Sequence, residues 1–383
     1  MNVHRACVVA GLAAALLAGC SAPRPNASQV PSTAAVETGA ASRQPSTEGP
    51  PTQNAPGGIE LHALDPTFVP NALRSSGGQV LWSTSHGELW RYVPGAAQPE
   101  RLYASANNDA AITSVASAAG YAFVERSTKG YGEGGWRVWY LRGAGEQPVE
   151  IDRGNARNAG HPPTLAMDGS RVAWAAFDEP DTGWVSRLRI ASVTDLGHPI
   201  TLLSYSIRDA LLWYPCLHGD ELWFAIIHPD FDETGRGNEF HIEMLDLAHP
   251  QAAPVRFAGV GHDFNPAVND DFIAWKTAEG DSAALNWGTI HVQERGTQAI
   301  ETVPVPNGNR PSIGDRYVTF DEISNSHLEI YDPRTRRVID LTPSLPEAAT
   351  YGGLSVSGNV LTWFTQGPDG AGPPRIGWAI LPE

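Results

Sequence analysis

One short pattern returns seven times along the 383-residue chain, and it constrains the fold more than any other feature. A strand with an aromatic appears as Val80-Leu81-Trp82, Tyr121-Ala122-Phe123, Val172-Ala173-Trp174, Leu222-Trp223-Phe224, Ile273-Ala274-Trp275, Val318-Thr319-Phe320 and Leu361-Thr362-Trp363. A turn precedes each copy, at Gly77-Gly78, Ala119-Gly120, Asp168-Gly169, Gly219-Asp220, Asp270-Asp271, Gly314-Asp315 and Ser357-Gly358. Short strands bounded by turn residues and repeated at about 40–50 residues predict a series of small antiparallel sheets. From Ile59 onward no segment shows sustained helical periodicity, so the expected body is all-β.

A second strand follows the first in every copy, as in Leu89-Trp90-Arg91-Tyr92, Val138-Trp139-Tyr140-Leu141 and Leu328-Glu329-Ile330-Tyr331. Several copies run on through a turn into a fourth strand, as Tyr331-Asp332-Pro333 leads to Val338-Ile339-Asp340-Leu341-Thr342. Four strands per repeat resemble the WD40-like repeats of TolB-type β-propellers, from Ile59 to Glu383. The resemblance implies a seven-bladed β-propeller of four-stranded antiparallel blades over residues 58–383. It says little about function, because propellers host many unrelated activities. The Trp-Asp ends of soluble WD40 proteins are missing.

The seventh repeat runs out after Ile376 to Leu381, before a fourth strand. Residues Gly58 to Leu64 precede the first repeat and have no blade of their own. They are expected to supply the outer strand of blade seven, closing the ring and removing a sheet edge.

The chain opens differently. His4 and Arg5 precede an apolar run from Ala6 to Ala18, too short to span a bilayer and of the length of a signal-peptide core. It ends in Leu17-Ala18-Gly19-Cys20, which resembles a bacterial lipobox: small residues admit the peptidase and the Cys20 thiol takes the lipid. That resemblance implies a lipoprotein with signal peptide 1–19, acyl chains (diacylglycerol, palmitate-type) on Cys20, and a body exported to the cell envelope. It would be held at the cell membrane or outer membrane, facing the periplasm or exterior. Two or three chains make a lasting anchor where one does not. Ser21 to Gly57 is rich in Ala, Pro, Ser, Thr and Gly and lacks aromatics, so 20–57 is read as a lipidated Cys and a disordered tether.

The formal net charge of -16 and pI of about 5.1 argue against nucleic acid as a partner and leave bilayer attachment to the lipid. Cys7 leaves with the signal and Cys20 is acylated, so Cys216 has no disulfide partner. Cys216 reads as a small buried hydrophobe, since no base for a nucleophile is in evidence.

In a propeller the first strand of each blade lines a central channel. The segments entering those strands carry Asp109, His161, Tyr214, His262, Asp263, Asn265, Arg310 and Tyr351. They form either a channel-face site for a polar ligand or polar caps beside water. His262-Asp263 invites comparison with a catalytic pair, but neighbours in a strand point to opposite faces, and no nucleophile elbow, zinc spacing or phosphate-cradling loop is present. Asp230, Asp232 and Thr234 open like a calcium loop, yet position twelve is His241, and a solvated hairpin accounts for them as well; no other cofactor is expected. Trp136, Trp184 and Trp287 lie near hairpin loops and read mainly as packing between blades. Two function classes follow: a scaffold binding an envelope protein, glycan or peptide, and a polysaccharide-acting glycosidase or lyase. The second needs a convergent acidic pair, for which Asp109 and Asp263 are the candidates.

Overall fold

The computed structural model describes residues 53–54, 58–64, 70–107, 109–127, 135–154, 162–178, 183–228, 239–278, 288–305, 308–322, 326–345, 350–366 and 374–383. Residues 1–19, Cys20, His161, Asp230, Asp232, Thr234 and Trp287 lie outside them. The described residues form antiparallel strands with a single 3₁₀ turn, Thr342–Ser344, and no α-helix. Strands follow one another as neighbours within each sheet. Pro70–Ser76, Gln79–Thr84, Glu88–Tyr92 and Glu100–Ala104 make the first four-stranded unit. Three more four-stranded sheets begin with Ala110–Ser117, Thr164–Met167 and Leu211–His218. An eight-stranded sheet is two further units, led by Asp263–Val268 and Gly308–Ile313 and joined by the single residue pair Gly288 and Gly308.

The last sheet is led by Thr350–Ser357 and ends with Arg375–Ile380, against which Glu60–Leu64 pairs in antiparallel register, Leu61 opposite Ala379. Gln53–Asn54 pairs in turn with Leu61 and Glu60, so this sheet reaches into the segment assigned to the tether.

The repeated aromatic explains why the units stack. Trp82, Phe123, Trp174, Phe224, Trp275, Phe320 and Trp363 all sit on second strands and all are buried. Each removes roughly 150–250 Å² from water, a gross gain of roughly 4–6 kcal/mol before entropy. Alternate residues of a strand face opposite neighbours, so each unit feeds two cores. Val124, Trp136 and Val138 meet Leu165, Val172 and Trp174 of the next unit. Val80, Trp82 and Tyr92 of the first unit meet Val360, Ile376 and Trp378 of the last. Trp136 thus packs between units, as expected, and donates Nε1–H to Phe177 O at 3.3 Å; Trp184 is half-buried.

Lead strands of neighbouring units touch through small polar side chains. Ser76 Oγ donates to Ser117 O at 2.9 Å, Ser117 Oγ donates to Ser76 O at 3.0 Å, and Ser312 Oγ donates to Val356 O at 2.9 Å. Gly77 N donates to Ser357 Oγ at 3.1 Å, joining the first lead strand to the last. The lead strands therefore gather around one axis.

Candidate functional site

Near its start, almost every lead strand carries an extra residue. The register slips by one at Pro70/Ala72, Ile112/Ser114, Trp213/Cys216, Phe264/Ala267, Asn309/Ser312 and Gly352/Ser355, while Thr164–Met167 pairs without a break. A bulge bends its strand and re-aims a side chain. In four consecutive units the bulge includes a residue with left-handed backbone: Tyr214 at φ 47°, Asn265 at 53°, Arg310 at 47° and Gly353 at 63°. A non-glycine residue seldom adopts this conformation, least readily a bulky one. Pro215, Pro266 and Pro311 follow three of them. Proline has no N–H to lose on the free edge of a lead strand.

These bulges bring three sequence-predicted residues to one region and add others that sequence reasoning missed. Arg310 is exposed, whereas Asn265 is 6 % exposed. Asn309 Oδ1 is a hub: it accepts Lys276 Nζ at 3.0 Å, Arg310 N at 2.9 Å and Asn265 Nδ2 at 3.5 Å. That last bond orients the Asn265 amide and leaves its buried Oδ1 with no partner among the described residues. Lys276, 1 % exposed, lies 5.3 Å from the centre of the Phe264 ring, which makes a T-shaped contact with Tyr214 at 5.0 Å. Burial, then the nearby Arg310 charge, pushes the Lys276 ammonium down from 10.5 to about 7. Asp321, opposite Asn309 in register, is held above the usual carboxylate range by burial; Arg310 and the N–H groups of Leu354 (3.0 Å) and Gly353 oppose that shift.

Other expected residues are placed differently. Asp263 is 2 % exposed and fully engaged: Oδ1 accepts Trp275 Nε1 at 2.9 Å and Thr277 Oγ1 at 2.8 Å, and Oδ2 accepts Gly261 N at 3.2 Å. His262 is exposed and stands 6.0 Å from the Phe240 ring. His262 stands just ahead of the strand with a left-handed backbone (φ 43°), and the Asp263 carboxylate is taken up by other donors, so no bond joins the two as a catalytic pair. Asp109 is half-buried in a turn in which its N–H donates to Asn107 Oδ1 at 3.0 Å. Tyr351 corrects the channel-face expectation: at 2 % exposure it belongs to the apolar core with Tyr317, Leu354 and Trp363, because its side chain points between units.

Lys276, Asp321 and Glu125 share a sequence signal: each is a charge one or two positions after the repeat's aromatic, inside an apolar strand. Glu125 is 6 % exposed and accepts Tyr103 Oη–H at 2.8 Å, which helps raise that phenol to about 12 behind the larger effect of burial. Cys216 is a free thiol whose pKa is raised mainly by burial, in keeping with a packing role. Among the described residues, one grouping has metal-ligand spacing, His327, Glu329 and Asp340 within 4.8 Å. It lies on a hairpin well along the sheet from the lead strand, apart from the bulges.

No family model matches the chain, and no curated protein does. Solved structures do. The WD40 β-propeller domain of Doa1 superposes with a TM-score of 0.51 at 11% identity, covering 87% of this chain and 98% of that one. Oligogalacturonate lyase from Vibrio parahaemolyticus superposes with a TM-score of 0.52 at 12% identity, covering 87% and 97%. Such identities carry the fold and nothing finer: the chain has the architecture of a β-propeller.

Proposed function

We propose that this chain is an exported cell-envelope lipoprotein, anchored through acyl chains on Cys20, whose propeller is a scaffold that binds an envelope protein, glycan or peptide at its bulged mouth. Taken with the two halves of the eight-stranded sheet apart, the sheets make seven blades. The pairing of Glu60–Leu64 with Arg375–Ile380 supplies the outer strand of the seventh and closes the ring. The stretch of residues 20–57 ahead of Gln53 then sets the body off from the membrane.

The observation that carries binding is the Asn265 amide. Its buried Oδ1 accepts nothing from the described residues, and an unsatisfied buried acceptor costs about 1–3 kcal/mol. A ligand hydroxyl or N–H would relieve that cost, beside a guanidinium at Arg310 that suits an anionic group. Strained backbone at Tyr214, Asn265 and Arg310 fits a site held in shape for a ligand.

A rival reading has one observation in its favour. Lys276 near neutrality is in the range of a general base, and the fold also hosts a lyase. Against it, Lys276 is 1 % exposed, and the Asp263 carboxylate is consumed by three donors, which breaks the Asp109/Asp263 pair. A pull-down from envelope extract, run beside a glycan-cleavage panel on wild type and Arg310→Ala, separates the two. Capture lost in the variant with no cleavage by wild type supports the scaffold; cleavage by wild type replaces it with the enzyme.

A further inference from the structure

The lead strands have a second level below the bulges, and it holds one charge. The residues opposite the middle of the repeated aromatic triplets are Arg74, Ala116, Ala166, Cys216, Ala267, Ser312 and Ser355. Six are small. The seventh is a guanidinium.

Arg74 reaches into the space these small residues leave. Its strand, Pro70–Ser76, and that of Cys216, Leu211–His218, belong to different sheets with other units between them. Yet the Cys216 thiol is the electrostatic neighbour of Arg74. Two side chains that stand at the same level of such distant lead strands face each other only across the passage those strands surround. Arg74 is exposed by its accessible surface while desolvation lowers its pKa, as fits a long side chain lying inside a solvent-filled passage.

Among the described residues no carboxylate pairs with Arg74, and its guanidinium makes no hydrogen bond. Elsewhere this chain pairs its arginines readily, Arg187 with Asp178 at 2.6 Å, Arg189 with Asp152 at 2.5 Å and Arg316 with Asp332 at 2.6 Å. In a chain of net charge -16 a partner was easy to place. A partly desolvated charge left unpaired destabilises the fold, and its five donors match a planar oxyanion.

We propose that Arg74 is the receptor for a carboxylate of the ligand, held in the central passage beneath the mouth. This deepens the binding function proposed above and rests on it. The ligand spans two levels: its hydroxyl or amide groups engage Asn265 and Arg310, and its carboxylate passes the ring of small residues to reach Arg74. The acid belongs either to a uronate sugar or to a peptide C-terminus; the chemistry is shared.

Calorimetry on the full chain with two matched pairs of probes tests this: trigalacturonate against its methyl ester, and an acetylated tripeptide with a free C-terminus against its amide. Wild type should prefer the acid form of one pair by about tenfold to a hundredfold, the range of a charge-assisted contact. The pair that responds identifies the source. Arg74→Gln should erase the preference while leaving the neutral form's affinity unchanged, and Arg74→Lys should restore part of it. Arg74→Gln should also melt at or above the wild-type temperature, since it removes an unpaired charge. A preference that survives Arg74→Gln, or a lowered melt, overturns the assignment. If binding of both members depends on Arg310 and ignores Arg74, the mouth still binds and only this inference fails. If neither pair binds wild type, this inference fails, and the pull-down alone decides whether the mouth binds.

Discussion

Lys276 offers a direct measure of what the mouth costs the fold. Replacing it with Met keeps the length and apolar stem of a side chain that is 1 % exposed and removes its ionisable head. Its ammonium titrates at about 7 in the folded chain against 10.5 when unperturbed. A folded value below the unfolded one means the unfolded chain binds more protons between the two. The stability from this group is therefore complete above about pH 10.5 and is lost as pH falls through about 7. Integrating the proton difference from about pH 9 down to about pH 7 gives a loss of about 2 kcal/mol, with a ceiling of roughly 5 kcal/mol over the whole interval. For the propeller, with an unfolding entropy of roughly 0.7 kcal/mol/K, this is a melting shift of roughly 3 °C. Melting curves at these two pH values should show wild type gaining roughly 3 °C relative to Lys276→Met as pH rises. Other titrating groups, the Cys216 thiol included, are common to both proteins and cancel. Parallel pH profiles for the two would refute the claim that a desolvated, unfavourably placed ammonium sits at Asn309.

Further outcomes follow from the same geometry. Leu61→Ala, in the core shared by Tyr351, Leu354 and Trp363, should cost about 2–5 kcal/mol, and deleting residues 58–64 should lower the melting temperature sharply; an unchanged melt in the deletion would remove the closing role of that strand. Gly353→Ala should destabilise by about 1–2 kcal/mol or more, because φ is +63° and a Cβ there would stand 2.9 Å from the Phe364 ring; urea unfolding measures it. Asp332→Asn, which weakens the pairing with Arg316 at 2.6 Å and neutralises a carboxyl that is 2 % exposed, should cost about 3 kcal/mol at neutral pH in the same assay. Cys20→Ala should abolish incorporation of labelled palmitate and release the protein from the membrane fraction; unchanged labelling would place the lipid elsewhere.

The propeller fold was legible because it rests on periodicity. The repeated aromatics survive as a signal, being the largest buried side chains on equivalent strands, and the turns before them use Gly and Asp where φ or side-chain bonding demands. The level of the mouth was legible in part: Tyr214-Pro215, Asn265-Pro266 and Arg310-Pro311 stand at matching places, and all three first members prove to be left-handed. What the strand pattern hid was direction. A one-residue bulge shifts the alternation of side chains, so Tyr351 turns into the core, while Arg74 is exposed although its strand reads as ordinary. Lys276 and Asp321 were hidden for another reason. A charge inside an apolar run looks like an error of pattern until a partner from the neighbouring unit, Asn309 or Arg310, is seen beside it.

The pairing of Leu61 with Ala379 has a consequence in time as well as in space. The partners lie about 320 residues apart, so the contact cannot form until nearly the whole chain is present. Contacts between consecutive units are local by comparison and can form as each repeat emerges. Loop-closure entropy makes the long-range step the slow one. Folding should thus pass through an open arc of stacked sheets whose two end faces, Trp82 and Tyr92 on one and Ile376 and Trp378 on the other, are exposed apolar surfaces until they find each other. That interval is when the chain is most prone to join a second copy instead of itself.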